Sequence, residues 1–148
     1  MFFIILCFDG KDFKLIMYVN NRLIEFLNMS SFISRSNIFL TDLEKVIFIS
    51  SNASSDYLNN VLSIELKKIL NLYINDTSCA DYLNVSMDNI VPIFWGDTAK
   101  YMSQIILPIV TNCVVAGLLI FTADDRKYLP SNLKYAKTTK QFAEVLIG

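Results

Sequence analysis

Residues 101–123 read YMSQIILPIVTNCVVAGLLIFTA. The run carries no charged residue and is long enough to span a bilayer as a helix. Its internal chemistry points elsewhere. Pro108 lies inside it, Thr111-Asn112-Cys113 makes a polar break at its middle, and Gly117 follows. The residues around the break are rich in β-branched types: Ile105, Ile106, Ile109 and Val110 before it, Val114, Val115 and Ile120 after it. Such a pattern predicts two buried strands, Tyr101–Val110 and Val114–Thr122, joined by a tight turn near Asn112. The flanks also lack the Lys/Arg asymmetry that orients a membrane span.

Upstream of this pair, Ile90–Trp95 reads as a strand, with Pro92 making it an edge or bulged one. Gly96-Asp97 turns the chain. Residues Asn75–Asn89 are polar and weakly patterned, a short helix or an irregular crossover. The clearest helical stripe is Leu58, Val61, Leu62, Leu66, Ile69, Leu70 and Tyr73, with Glu65, Lys67, Lys68 and Asn71 on the other side. Ser54, Ser55 or Asp56 is expected to cap it. Before it, Asn37–Thr41 and Val46–Ser50 predict a β-hairpin around the polar turn Asp42–Lys45.

Nearer the N-terminus, Leu15, Ile16, Val19, Leu23, Ile24, Phe26 and Leu27 recur at three- and four-residue steps and predict a first helix. Gly10 or Asp12 is the expected start, Ser30-Ser31 the expected end. Met1–Phe8 is apolar but has no basic residue ahead of it and is cut short by Asp9 and Lys11. It reads as a strand ending in an Asp9-Gly10 turn, not as an export signal. After Ala123-Asp124-Asp125-Arg126 the chain leaves the sheet. Pro130 and Ser131 open a closing helix with Leu133, Ala136, Phe142, Ala143, Leu146 and Ile147 on its apolar side.

The chain has 148 residues, 53% of them hydrophobic and 18% charged, at a mean hydropathy of +0.42. That composition excludes a disordered protein and suits one domain with its own core. Thirteen basic against fourteen acidic residues give a net charge of −1, without the basic excess of a nucleic-acid binder. With no histidine in the sequence, His-based zinc sites, Ser-His-Asp and Cys-His catalysis are excluded. Cys7, Cys79 and Cys113 are far apart and imply neither a disulfide framework nor a metal site. They are expected as reduced, apolar-packed thiols in a cytoplasmic protein.

This order of elements predicts an α+β fold: an antiparallel sheet of about five strands sandwiched by helices, the N- and C-terminal helices packed together. Specific residues carry a resemblance. Val46-Ile47-Phe48-Ile49-Ser50, a Ser/Asn loop and Asp56-Tyr57-Leu58-Asn59, followed later by Pro108-Ile109-Val110 and Ala116-Gly117-Leu118-Leu119-Ile120-Phe121, are similar to the C-terminal GAF-like domain of the stage V sporulation protein T family. The resemblance runs from about Leu15 to Ile147. It implies a small-molecule-sensing, homo-oligomerising regulatory domain related to a sporulation transcription regulator. In that family an N-terminal swapped-hairpin module binds DNA. Here Met1–Asp12 amounts to no more than an extra strand or hairpin remnant, so direct nucleic-acid binding by this chain is not expected, nor is membrane association.

Candidate ligand-binding residues fall in two groups. Ser51, Asn52 and Ser54, with Tyr57 just beyond, belong to a loop whose hydroxyls and N–H groups suit a polar or anionic ligand, or simply a turn and a helix cap. Trp95, Tyr101 and Phe121 suit the wall of a cavity between sheet and helix, or ordinary core and dimer-interface packing. Asp124-Asp125 reads as a solvated loop more readily than a metal site. No nucleophile–base pair can be assembled, so no catalytic residue and no cofactor is expected. The competing reading is a ligand-free, degenerate homodimerisation module.

Overall fold

A computed structural model describes residues 3–9, 12–50, 55–75 and 90–147. The deciding stretch folds as two antiparallel strands, β5 (Ser103–Thr111) and β6 (Val114–Ala123). The turn between them is two residues long. Asn112 and Cys113 both have positive φ, at 50° and 63°, as a turn matching the strand twist requires. Among the described residues no helix is long and apolar enough to cross a membrane.

Strands β3 (Asn37–Thr41) and β4 (Val46–Ile49) form the expected hairpin. The Asp42 carboxylate builds its turn by accepting from the N–H groups of Glu44 and Lys45 at 2.7 and 2.8 Å. Strand β3 pairs with β6, giving one four-stranded sheet in the order β4-β3-β6-β5. The expected fifth strand at Ile90–Trp95 is absent. That segment makes a single bridge, Phe94 to Leu62, because Pro92 and the Gly96-Asp97 turn leave too little extended backbone to pair.

A separate two-stranded sheet stands at the N-terminus: β1 (Phe3–Asp9) and β2 (Asp12–Tyr18) pair in register from Phe3↔Tyr18 to Asp9↔Asp12. The first helix therefore starts later than its periodicity suggests. Helix α1 (Asn21–Ser34) is capped by Asn20, whose side chain accepts from Leu23 N–H at 3.0 Å. Leu15 and Ile16 belong to the hairpin. The short Asp-x-x-Leu-Ile run matched a helical period by coincidence, and Asn20 was the stronger start signal. The helix ends in a left-handed residue, Arg35, with Ser36 N–H reaching back to Ser31 C=O at 3.2 Å.

The second helix is also shorter than expected. Ser55–Tyr57 forms one 3₁₀ turn, the chain then passes through isolated bridges at Val61 and Leu62, and α2 (Ile64–Asn75) follows Ser63. Ser63 is its cap, accepting from Leu66 N–H at 3.0 Å. Leu58 and Val61, assigned to the buried stripe by sequence, are exposed. Helix α3 (Pro130–Ile147) closes the chain where Pro130 predicts.

Strand alternation sends side chains to two cores. Ile38, Leu40, Ile105, Leu107, Leu119 and Phe121 pack under α1 and α3 with Leu23, Leu27, Ala136 and Ala143. Phe39, Ile106, Leu118 and Ile120 face the other way and pack with Leu66, Leu70 and Tyr73 of α2 and with Ile93. Full burial of each leucine, isoleucine or phenylalanine side chain among these is worth about 1.5–3 kcal/mol. The terminal helices contact each other as expected, and the Phe26 and Phe142 rings meet at 5.7 Å.

Candidate functional site

The sheet face under α2 carries the candidate site. The register places Asn37 of β3 beside Thr122 of β6, and Thr122 beside Gln104 of β5. These polar residues form a row across three strands, one step along from the apolar row Phe39, Ile120 and Ile106 on the same face. Thr122 is fully buried and its hydroxyl has no hydrogen-bond partner. Gln104 is equally buried but satisfied: its Oε1 accepts from Val91 N–H at 2.9 Å and its Nε2 donates to Val91 C=O at 3.0 Å. It thereby holds the segment around Val91 against the sheet.

An aromatic wall stands next to this row. Tyr57, on the 3₁₀ turn, meets Phe39 at 5.1 Å and Phe94 edge-on at 4.7 Å. The Tyr101 hydroxyl donates to Asp97 Oδ2 at 2.8 Å. A phenol has one proton, so the Tyr57 hydroxyl, 3.4 Å from the Tyr101 oxygen, is the donor of that second contact. Burial holds the Tyr101 hydroxyl far above the usual phenol range, reinforced by its bond to the Asp97 carboxylate. It stays a neutral donor. The Asp97 carboxylate is fully used: Ile93 N–H and Ala99 N–H reach its two oxygens at 2.8 and 3.0 Å. It ties the loop from Ile93 to Tyr101 into shape and has little capacity left for a ligand.

The residues expected from sequence divide sharply. Ser51, Asn52 and Ser54 lie outside the described residues. Tyr57 and Tyr101 come together, hydroxyl to hydroxyl. Trp95 is 71% exposed and stands over a surface groove of about 470 Å³ lined by Val61, Ile64 and Lys67. Phe121 is on the opposite face, in the core under α1 and α3. A strand alternates with period two, so Phe121 cannot share a wall with the face that carries Ile120 and Thr122. Cys113, expected to pack as an apolar residue, is exposed in the β5–β6 turn. Gln104 and Thr122 went unnoticed in the sequence. Their signal was a polar residue at the inward phase of an otherwise apolar strand.

No family model and no curated protein matches this chain. Solved structures do match in shape. The cofactor-binding GAF domain of the nutrient sensor CodY from Clostridium difficile superposes with a TM-score of 0.52 at 15% identity, over 80% of each chain. A GAF domain/HD domain protein from Geobacter sulfurreducens reaches 0.57 at 9% identity, over 84% of this chain and 91% of that one.

The fold is GAF-like. At these identities the likeness is one of fold alone. A type II free methionine-R-sulfoxide reductase from Thermoplasma acidophilum shares it too, with a TM-score of 0.52 at 11% identity over 84% of this chain and 94% of that one. One GAF-like scaffold thus serves a sensor and an enzyme, and the site must decide between them.

Proposed function

We propose that this chain is a small-molecule-sensing regulatory domain of the GAF-like class, kin to the stage V sporulation protein T family and acting in the cytoplasm. Its ligand would lie against the polar row of Asn37 and Thr122, beside the Tyr57–Tyr101 wall. The observation that carries this reading is the Thr122 hydroxyl, fully buried on the face between sheet and α2 with nothing to bond. A buried polar group without a partner is costly and calls for one. The described site offers hydroxyls, amides and aromatic faces. Its Asp97 is committed to the loop, so among the described residues the site offers no free base for a nucleophile, which favours a binder over an enzyme.

Output would run through the outer surface of α1 and α3. Met29, Phe32 and Ile33 on α1 and Phe142 and Val145 on α3 are exposed, Phe32 to 84%. Exposed apolar side chains gathered on two packed helices suit a homodimer face. They also favour a second reading, a ligand-free dimerisation module, in which α2 and the sheet are simply a filled core.

One experiment separates the two. A thermal-shift panel of free amino acids, purines and short organic acids is run on the wild type and on Thr122→Val. The sensing reading expects at least one compound to raise the wild-type melting temperature and to lose that effect in the variant. A panel without any shift, with dimers that dissociate in Phe32→Glu, supports the dimerisation module instead.

A further inference from the structure

The end strands of a sheet carry unpaired N–H and C=O groups on which another strand can pair. Among the described residues β5 is one end strand and β4 the other. Along β5, outward-directed backbone groups recur at every second residue. Ile106 C=O accepts from the Tyr73 hydroxyl of α2 at 3.4 Å. Four residues on, Val110 N–H donates to Glu144 Oε2 of α3 at 2.7 Å. Pro108 sits between them in the same phase and has no N–H to offer. At Gln104, next in phase, the side chain grips the backbone of Val91 and keeps that segment beside the strand. The far end of the sheet is treated alike: Val46 N–H donates to Asn60 C=O, and Asn59 N–H to Val46 C=O, at 3.0 and 2.9 Å.

We infer that the β5 edge is closed to strand addition, by a second copy of this chain as by any extended peptide, and that Glu144 is the plug α3 sets into it. Lys140, one turn earlier on α3, holds that carboxylate at 2.9 Å, so the plug is oriented from its own helix. Both layers contribute: Tyr73 comes from α2 on one face, Glu144 from α3 on the other. The inference holds whether or not a small molecule binds. It adds to the functional reading that copies of this chain meet through helices and do not extend the sheet.

The test is backbone amide exchange at Val110, followed by NMR, with sedimentation velocity beside it. Loss of a hydrogen bond to a charged acceptor is worth roughly a factor of ten or more. Glu144→Ala is therefore expected to speed Val110 exchange about tenfold, while Glu144→Gln, which keeps an acceptor oxygen, stays near the wild type. Pro108→Val combined with Glu144→Ala restores one N–H and uncovers another. It is expected to produce larger species that grow with concentration. Val110 exchange unchanged in Glu144→Ala overturns the inference. So does a double variant that keeps its far-UV circular dichroism yet sediments as the wild type at every concentration. If the double variant does not fold, the exchange result in the single variants decides.

Discussion

Tyr101 and Asp97 are joined across a turn, phenol to carboxylate at 2.8 Å, and that one contact fixes both the aromatic wall and the loop beneath it. The same carboxylate also takes Ile93 N–H and Ala99 N–H. Gly96, at φ +87°, gives the backbone the left-handed step the turn needs. Removing the carboxylate strands two backbone donors and a phenol. Asp97→Ala is expected to cost about 2–4 kcal/mol, and Tyr101→Phe, which leaves the carboxylate its two other donors, about 1 kcal/mol. Urea unfolding of both variants checks the ordering; equal costs would refute the assigned hierarchy.

Thr122→Val removes an unbonded hydroxyl at nearly constant shape. In the ligand-free protein this should be neutral or stabilising, by up to about 1 kcal/mol. A core threonine that is properly bonded would instead lose stability on this change. Denaturant midpoints at constant m-value decide it.

The cap of α2 gives a sharp contrast. Ser63 accepts from Leu66 N–H and donates to Pro92 C=O, so Ser63→Ala is expected to cost about 1–2 kcal/mol. Asp56, on the 3₁₀ turn and exposed, was the alternative cap in the sequence. Asp56→Ala is expected to cost less than Ser63→Ala, since Asp56 stands seven positions ahead of the residue that caps α2. A reversed order in thermal melts would contradict the placement of the helix start.

Alkaline pH should unfold this protein early. Tyr73, Tyr101 and Tyr128 are all shifted upward by burial, Tyr128 to about 12. In the unfolded chain they ionise near pH 10. The folded state then holds more protons than the unfolded one, so stability is intact below pH 10 and falls as pH rises above it. For Tyr128 the loss amounts to about 3 kcal/mol between pH 10 and 12. Tyr128→Phe is expected to flatten that part of the curve, read by circular dichroism against pH, although it also forfeits the 2.7 Å bond to Ser36.

The β5–β6 turn can be improved. Cys113 holds a positive φ of 63°, which a side chain disfavours and glycine does not. Its exposed thiol makes no contribution to the core. Cys113→Gly is expected to stabilise by about 0.5–1 kcal/mol, seen as a higher melting temperature. A fall would mean that the turn is held by contacts of that side chain.

Legibility in the sequence followed the length of the pattern. The β5–β6 pair, the Asp42–Lys45 turn and the Pro130 start were readable because several local signals agreed over ten or more residues. Helices α1 and α2 were placed too early because short apolar runs fit both periods. In each case the true cap, Asn20 or Ser63, was present but outvoted by more distant polar residues. The site was half readable. Tyr57 and Tyr101 stood out as aromatics near turns, while Gln104 and Thr122 looked like breaks in two apolar strands.

What the chain composition and patterning settled is the α+β class, the two long strands and the lack of histidine chemistry, since these depend on residue types and local spacing alone. Which face each strand residue joins, that Phe121 parts from Tyr101, that Asn37, Thr122 and Gln104 line up, and that Glu144 reaches Val110 were decided by the packing. Those relations depend on strand register and on residues that meet although they lie far apart in the chain, a separation over which no local preference acts.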